Sequence, residues 1–395
     1  MNPLALPASA VTFIAGGGRD LDTARTQGLV LPASGEHVRL VDPNGDEVGL
    51  GISDPENQRV RVLATLADGF PKIDGALLAW RVEKALAWRR ALGLPGPTNA
   101  YRIVHGAGDM LPGFACDVFA STAVLYAYGE GLMAVGKQLA EAIVGFAKLD
   151  GAVVKLRARG GAAEGAERQD TVGKPPPETL TANEPGSDLA YEIHPLGGLN
   201  AGLFTDMREH RRGLHRFAAG KRVLNLFSYT GALSLACAKA GAASVTSVDT
   251  SAGVNAWAAG NFARAGFPNN DPRWKFETGD AVRYLARAIR DKERYDLVMI
   301  DPPTFSTARG QAWTLDRDYP ALIAQAATVL PEGGVLWLAA NTHELGSLGK
   351  LAAKGLRLAD RSAAIVEQGG LPPEYPTLAA QPQDRYLQIC VLRLT

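Results

Sequence analysis

The chain has 395 residues, with 46 % hydrophobic and 21 % charged residues and a formal net charge of zero. That length points to two or three domains and is ample for sizeable cores. The balanced charge excludes a chain that is basic throughout, so a nucleic-acid surface would have to be a local patch. Its apolar runs, such as residues 335–340, are far shorter than the ~20 residues of a membrane span. Met1-Asn2-Pro3-Leu4 carries no basic segment ahead of an apolar core, so no secretory leader is expected. Cys116, Cys237 and Cys390 are few, odd in number and widely spaced. They fit neither a metal pattern nor a disulfide framework, and a reducing cytoplasm is the expected setting.

Residues 1–26 are poorly patterned. Between 27 and 66, apolar and polar residues alternate in His37-Val38-Arg39-Leu40-Val41, in residues 48–52 and in residues 60–63, with a turn at Asp42-Pro43-Asn44-Gly45-Asp46. This predicts a small β-rich module. Residues 75–98 read as a helix with Leu77, Trp80, Val82, Leu86 and Leu92 near helical spacing, ended by Gly93-Leu94-Pro95-Gly96-Pro97. Strands are expected at 101–104, 113–118, 122–127 and 152–157, with a helix at 133–147. Residues 158–188 are rich in Gly, Ala, Glu and Pro and read as a flexible insertion.

From about residue 200 onward the pattern alternates strand and helix. Strands are predicted at 223–227, 244–249, 275–278, 297–301, 334–339, 361–366 and 387–392. Right-handed crossovers turn this into a doubly wound, mostly parallel sheet with its site at the carboxyl ends of the strands. The first strand ends in a small-residue turn, Phe227-Ser228-Tyr229-Thr230-Gly231, and the second ends in Asp249-Thr250. The third ends near Asp280-Ala281 and the fourth in Asp301-Pro302-Pro303. A strand, turn, helix and strand-end acid build an adenosine site, the acid taking ribose hydroxyls. No G-x-G-x-x-G or G-x-x-x-x-G-K-[ST] is present to wrap phosphates. A nucleoside cofactor without phosphates, S-adenosylmethionine, is therefore expected. Phe227, Ser228, Tyr229 and Gly231 form the turn at which the cofactor would approach the backbone, Asp249 and Thr250 would take its ribose, and Asp280 and Ala281 at the third strand end are further candidate contacts.

Five segments carry a family likeness. They are Asn225-Leu-Phe-Ser-Tyr-Thr-Gly231, Val248-Asp249-Thr250-Ser251, Asp301-Pro-Pro-Thr-Phe-Ser306, Gly202-Leu-Phe-Thr-Asp-Met-Arg208 and Tyr101-Arg-Ile-Val-His-Gly-Ala-Gly-Asp-Met-Leu-Pro-Gly113. In this order they resemble the RlmI/RlmK group of bacterial large-subunit ribosomal RNA methyltransferases. The resemblance implies an α/β chain with a PUA-like β domain at 1–70 and a middle α/β domain at 75–200. A Rossmann-like class I methyltransferase domain would follow at 201–395. The first domain matches least, since the H-P-W-[VI]-[FY] opening is missing; in the third domain Met207 stands where the group usually has Gln. The resemblance further implies that Asp206 and Arg208 reach the cofactor, that the partner is ribosomal RNA, and that no metal takes part. A homodimer is compatible with it.

The same resemblance separates two chemistries. Cytosine C5 needs a thiolate to add at C6, and that branch carries a Ser-Cys-Ser-type segment after the strand following Asp-Pro-Pro. Here the place reads Leu338-Ala339-Ala340-Asn341-Thr342-His343, without cysteine. The RlmK-like branch, acting on guanine N7, has an Asn-Asn-type segment there, which Asn341 resembles. Asp301, Pro302, Pro303, Phe305 and Asn341 are thus the candidate catalytic residues, Phe305 as a stacking surface. Arg81, Lys84, Arg89 and Arg90, and Arg211, Arg212 and Arg216, are two candidate phosphate-binding patches. Cytosine-C5 transfer, a small-molecule methyltransferase and an inactive RNA-binding protein are the alternatives.

Overall fold

The computed structural model describes residues 1–96, 99–157, 168–184, 189–198, 200–303, 314–342 and 346–395. Two units emerge from its contacts. The first comprises Met1–Asn183, Ile193–Asp206 and Pro373–Asp384; the second comprises Glu184–Glu192, Met207–Pro372 and Arg385–Thr395.

The first unit opens with β1 (Asn2–Ala5), α1 (Ala8–Ala15), β2 (Asp20–Leu21), α2 (Thr23–Thr26), β3 (His37–Val41), β4 (Glu47–Asp54) and β5 (Arg59–Thr65). The sheet order is β1-β3-β4-β5-β2. The alternation at 27–66 is thus a true strand pattern. The weak pattern at 1–26 is nevertheless ordered, because Leu4, Leu6, Ala10 and Ile14 are buried against Val38, Leu40, Val60 and Val62. β1 pairs in parallel with β3, a long-range contact that leaves no local signature.

Then come α3 (Gly75–Ala91), β6 (Ala100–His105), β7 (Phe114–Phe119), β8 (Thr122–Ala127), α4 (Met133–Ala147), β9 (Gly151–Leu156) and β10 (Gln169–Gly173), in sheet order β10-β9-β8-β7-β6. The Asp74 carboxylate caps α3 by accepting from the amides of Ala76 and Leu77. β10 corrects the expected flexible insertion at 158–188, since Gln169 to Gly173 pair antiparallel with Lys155 to Gly151. An edge strand needs backbone partners and few apolar side chains, and only Val172 is buried there. β11 (Leu180–Glu184) and β12 (Leu189–Ile193) form a two-stranded ribbon. The rest of the insertion, 158–167 and 185–188, lies outside the described residues.

In the second unit, α5 (Arg208–Gly213) and α6 (His215–Ala218) lead into β13 (Arg222–Leu226), α7 (Ala232–Lys239), β14 (Ser244–Asp249), α8 (Ala252–Arg264), β15 (Trp274–Thr278), α9 (Ala281–Arg290) and β16 (Leu297–Ile300). α10 (Leu315–Thr328), β17 (Val335–Asn341), α11 (Leu348–Leu358), β18 (Ala363–Gly370) and β19 (Leu387–Leu394) complete it. The seven strands run in the order β15-β14-β13-β16-β17-β19-β18. All neighbours as far as β17 are parallel, whereas β19 is antiparallel to both β17 and β18. Period-two alternation explains the layers. Leu224, Leu226, Val298, Ile300, Leu336 and Leu338 share one core with Leu285, Leu322 and Leu356 of α9, α10 and α11. Met299, which alternates with them, meets Cys237 of α7 instead.

Candidate active site at the carboxyl edge of the sheet

Strand register sets the site. Leu226 pairs with Val248 and with Ile300, and Ile300 pairs with Leu338. The chain therefore leaves β13, β14 and β16 at one level, bringing Phe227, Asp249 and Asp301 to the same edge. The turn after β13 is unusual in its backbone. Phe227 (φ 60°), Tyr229 (φ 47°) and Gly231 (φ 76°) are all left-handed, a conformation that costs energy for the two residues bearing a Cβ. Surrounding bonds hold it. The Ser228 amide donates to the Val248 carbonyl at 3.0 Å, and Asn261 Nδ2 donates to the Thr230 carbonyl at 3.0 Å. Beneath the turn, buried Ser234 Oγ meets Asn225 Nδ2 at 2.9 Å and Ser247 Oγ at 2.7 Å. Gly231 has a packing reason as well as a conformational one: an added Cβ would lie 2.9 Å from Ala258 Cβ on α8.

Asp249 is half-buried at the end of β14. Its Oδ2 accepts from the Tyr229 amide at 3.0 Å and its Oδ1 from the Ser251 amide at 3.0 Å. A carboxylate has about four acceptor positions, so two amides fix its orientation and leave capacity for ligand hydroxyls. Thr250 beside it is exposed. Asn255, which the sequence did not single out, joins the two strand ends: its Nδ2 lies 3.3 Å from the Asp249 carbonyl, 3.1 Å from the Glu277 carbonyl and 3.0 Å from Thr278 Oγ1. Asp280 caps α9, its Oδ1 accepting from the Arg283 amide at 3.0 Å, and Ala281 is buried behind it.

Asp301 follows β16 half-buried, Pro302 is buried and Pro303 is exposed. Asn341 ends β17, exposed, in register with Leu387. Tyr319 of α10 connects the two strands. Its hydroxyl is fully buried and lies 2.9 Å from both the Ile300 and the Ala339 carbonyl. Burial, reinforced by the charge of Asp301, holds its pKa well above the ordinary tyrosine value. The signal for it in the sequence was only a tyrosine on an apolar helix face. Phe305 lies outside the described residues.

A profile of S-adenosylmethionine-dependent methyltransferases matches residues 151–387. The ribosomal RNA large subunit methyltransferase I of Klebsiella pneumoniae (strain 342) is 30 % identical over 364 residues, 90 % of this chain and 88 % of the relative. The chain belongs to the S-adenosylmethionine-dependent methyltransferase family. The Escherichia coli (strain SMS-3-5 / SECEC) enzyme of the same name is also 30 % identical, over 90 % of this chain and 89 % of its own. Among solved structures, a methyltransferase complexed with SAH superposes with a TM-score of 0.87 at 23 % identity, covering 100 % of both chains. A SAM-dependent methyltransferase from Streptococcus mutans gives 0.86 at 22 % identity, again over 100 % of both. These two establish the fold: a Rossmann-like methyltransferase sheet within a mixed α/β chain.

The residues present fit the family's cofactor. Ser228 Oγ is buried with no hydrogen-bond partner among the described residues, and an unpaired buried hydroxyl is costly. With the Asp249 carboxylate at the same edge, it offers polar atoms to a nucleoside's hydroxyls and a methionyl ammonium. Arg208 is buried at the start of α5, its Nε 3.3 Å from Glu209 Oε1. Asp206 is buried in the first unit, in the turn Thr205–Met207. There Thr205 Oγ1 donates to Asp117 Oδ1 at 2.6 Å. Among the described residues there is no group of three side chains suited to a metal ion, and no helix long and apolar enough to cross a membrane.

Three of the seven candidate phosphate-binding residues are corrected by the structure. Arg81 is buried, its Nη2 donating to Asp68 Oδ2 and to the Leu63 carbonyl, both at 2.8 Å. Arg89 is fully buried and donates to Asp109 Oδ2 at 2.8 Å, to the Arg102 carbonyl at 3.0 Å and to the Glu374 carbonyl at 2.6 Å. Arg211 is buried in a bidentate pair with Glu184. A guanidinium whose donors are satisfied inside the protein has nothing left for phosphate. Lys84, Arg90, Arg212 and Arg216 are exposed.

Proposed function

We propose that this chain methylates a base of large-subunit ribosomal RNA at a ring nitrogen, guanine N7, by direct attack and without a covalent cysteine. The RNA class follows from the names of the curated relatives. The observation that carries the chemistry is the end of β17, where exposed Asn341 stands, while Cys116, Cys237 and Cys390 are all buried. Burial pushes each thiol above its usual range, Cys116 and Cys237 well above it, away from the thiolate that addition to cytosine C6 requires. Cys237 packs on Met299 with its Sγ 3.8 Å from Sδ, a core contact.

Bound at this edge, S-adenosylmethionine supplies an electrophilic methyl group. The chain's part is alignment and exclusion of water. Asp249 and Thr250 take the ribose; Asp280 and Ala281 flank the adenine; Phe227, Ser228, Tyr229 and Gly231 shape the methionyl end, with Asp206 and Arg208 as further cofactor residues. Asp301, Pro302, Pro303 and Asn341 orient the base, and Phe305 stacks on it. In this reading residues 1–70 are a PUA-like module and 75–200 a middle module, both on the RNA side of the function.

The test replaces each cysteine singly by alanine and by serine and follows methyl transfer to large-subunit ribosomal RNA. Every folded variant is expected to keep turnover. One folded variant that loses turnover, or RNA trapped covalently when 5-fluorocytosine replaces cytosine, would move the reading to cytosine C5.

A further inference from the structure

The second unit carries a cavity of about 580 Å³ between the α5–α6 corner and the last turn of α7. Its exposed lining includes Arg212, His215, Arg216 and Lys239, against the single exposed carboxylate of Glu209. We propose that this cavity is a second contact for RNA, a cradle for backbone phosphates placed away from the methyl-transfer edge. The inference rests on the RNA reading given above.

The wall of the cavity is built rather than loose. Arg211 and Glu184 form their buried pair behind it, so α5 is fixed by a satisfied ion pair and the neighbouring Arg212 is left pointing to solvent. The His215 ring places Nδ1 2.7 Å from the Arg212 carbonyl. Nδ1 is then the proton donor, which fixes the ring in the wall of the cavity. Gly213 lies at the corner, where an added Cβ would meet Arg216 Nη2 at 2.8 Å.

Its cations are available. Arg212 pairs with Glu209 at 3.1 Å and Arg216 with Glu367 at 2.7 Å, and both arginine side chains are about half exposed. Exposed pairs of this kind contribute little and exchange readily for a phosphate. Lys239 has no ion pair among the described residues and is exposed. A concave site with several exchangeable cations suits a polyanion better than a neutral ligand.

Topology places the cradle. α7 starts at Ala232, beside the turn that follows β13, and ends at Lys239. The amide of Gly220, just before β13, donates to the Gly241 carbonyl just after α7 at 2.8 Å. The cavity therefore lies at the amino end of the sheet, one strand length (about 17 Å for five residues) from Asp249 and Asp301. Only an RNA of several nucleotides reaches both edges.

The experiment uses the full chain, a large-subunit ribosomal RNA transcript, and the double variant Arg212→Ala/Lys239→Ala. Both residues are exposed, so the fold should tolerate the change, and unchanged S-adenosylmethionine affinity reports that it has. The slope of log affinity against log salt should flatten by about 1.4, with affinity at 0.1 M salt falling on the order of tenfold. The charge-preserving variant Arg212→Lys/Lys239→Arg should recover most of the loss. A double variant with the wild-type slope and affinity overturns the cradle while leaving the RNA reading intact. So does tight binding of inorganic phosphate at matched ionic strength that is abolished by the double variant with no change in RNA slope, which would make it a small-anion site. A wild-type chain that binds no RNA overturns both.

Discussion

The Tyr319 hydroxyl donates to the Ile300 carbonyl at 2.9 Å, one residue before Asp301. The same hydroxyl lies 2.9 Å from the Ala339 carbonyl, two residues before Asn341. A single buried oxygen thereby braces two strand ends, already paired through Ile300 and Leu338, on which the base-orienting residues stand. Its role is positioning, since it acts through backbone and is fully buried.

Tyr319→Phe keeps the ring and removes that link. Turnover is expected to fall about tenfold with little change in S-adenosylmethionine affinity, because small misplacement of reacting groups is expensive. Steady-state kinetics with separate kcat and KM values check this. An unchanged kcat would reduce Tyr319 to packing.

Asp249→Ala removes the acceptor for the Tyr229 and Ser251 amides as well as the ribose contact. Cofactor affinity should drop by about 1.5–3 kcal/mol. Calorimetry measures it directly, and wild-type affinity in the variant would take Asp249 out of the site.

Gly231→Ala combines a left-handed φ of 76° with a Cβ 2.9 Å from that of Ala258. The two effects should destabilise the second unit by about 2–3 kcal/mol. A urea midpoint equal to that of wild type would show that the α7–α8 contact yields easily.

Asp68 and Arg81 give a pH-dependent prediction. Burial acts to raise the Asp68 carboxyl, but the Thr65 amide and Arg81 outweigh it and hold the group below its ordinary value. A carboxyl depressed by folding contributes stability that is present above its unfolded value and lost as pH falls through its folded value. Asp68→Asn should therefore cost about 2–3 kcal/mol at pH 7, where it leaves Arg81 buried without its charge partner. The gap to wild type should narrow below about pH 4. Denaturant unfolding across that range tests it; a gap that is constant with pH would mean the pair's ionisation contributes nothing.

Much of the second unit was legible because each apolar run ends in a turn residue or an acid. Runs ending at Asp249 and at Asp301 are strands to within a residue, and their order fixed the sheet and its edge. Three members of the cation clusters are buried for a physical reason. Arg81, Arg89 and Arg211 pair with Asp68, Asp109 and Glu184, which lie 13, 20 and 27 residues away. A run of basic residues on a helix shows its charge but not which side of the helix the rest of the chain covers. Asn255 and Tyr319 escaped notice similarly, since their work is to bond backbone carbonyls of other strands.

The central claim is the identity of the methylated atom. Large-subunit ribosomal RNA, methylated by the purified chain with isotopically labelled S-adenosylmethionine and digested to nucleosides, can be resolved by mass spectrometry. The account predicts label in 7-methylguanosine. Label in 5-methylcytidine, or label absent from the RNA altogether, would contradict it.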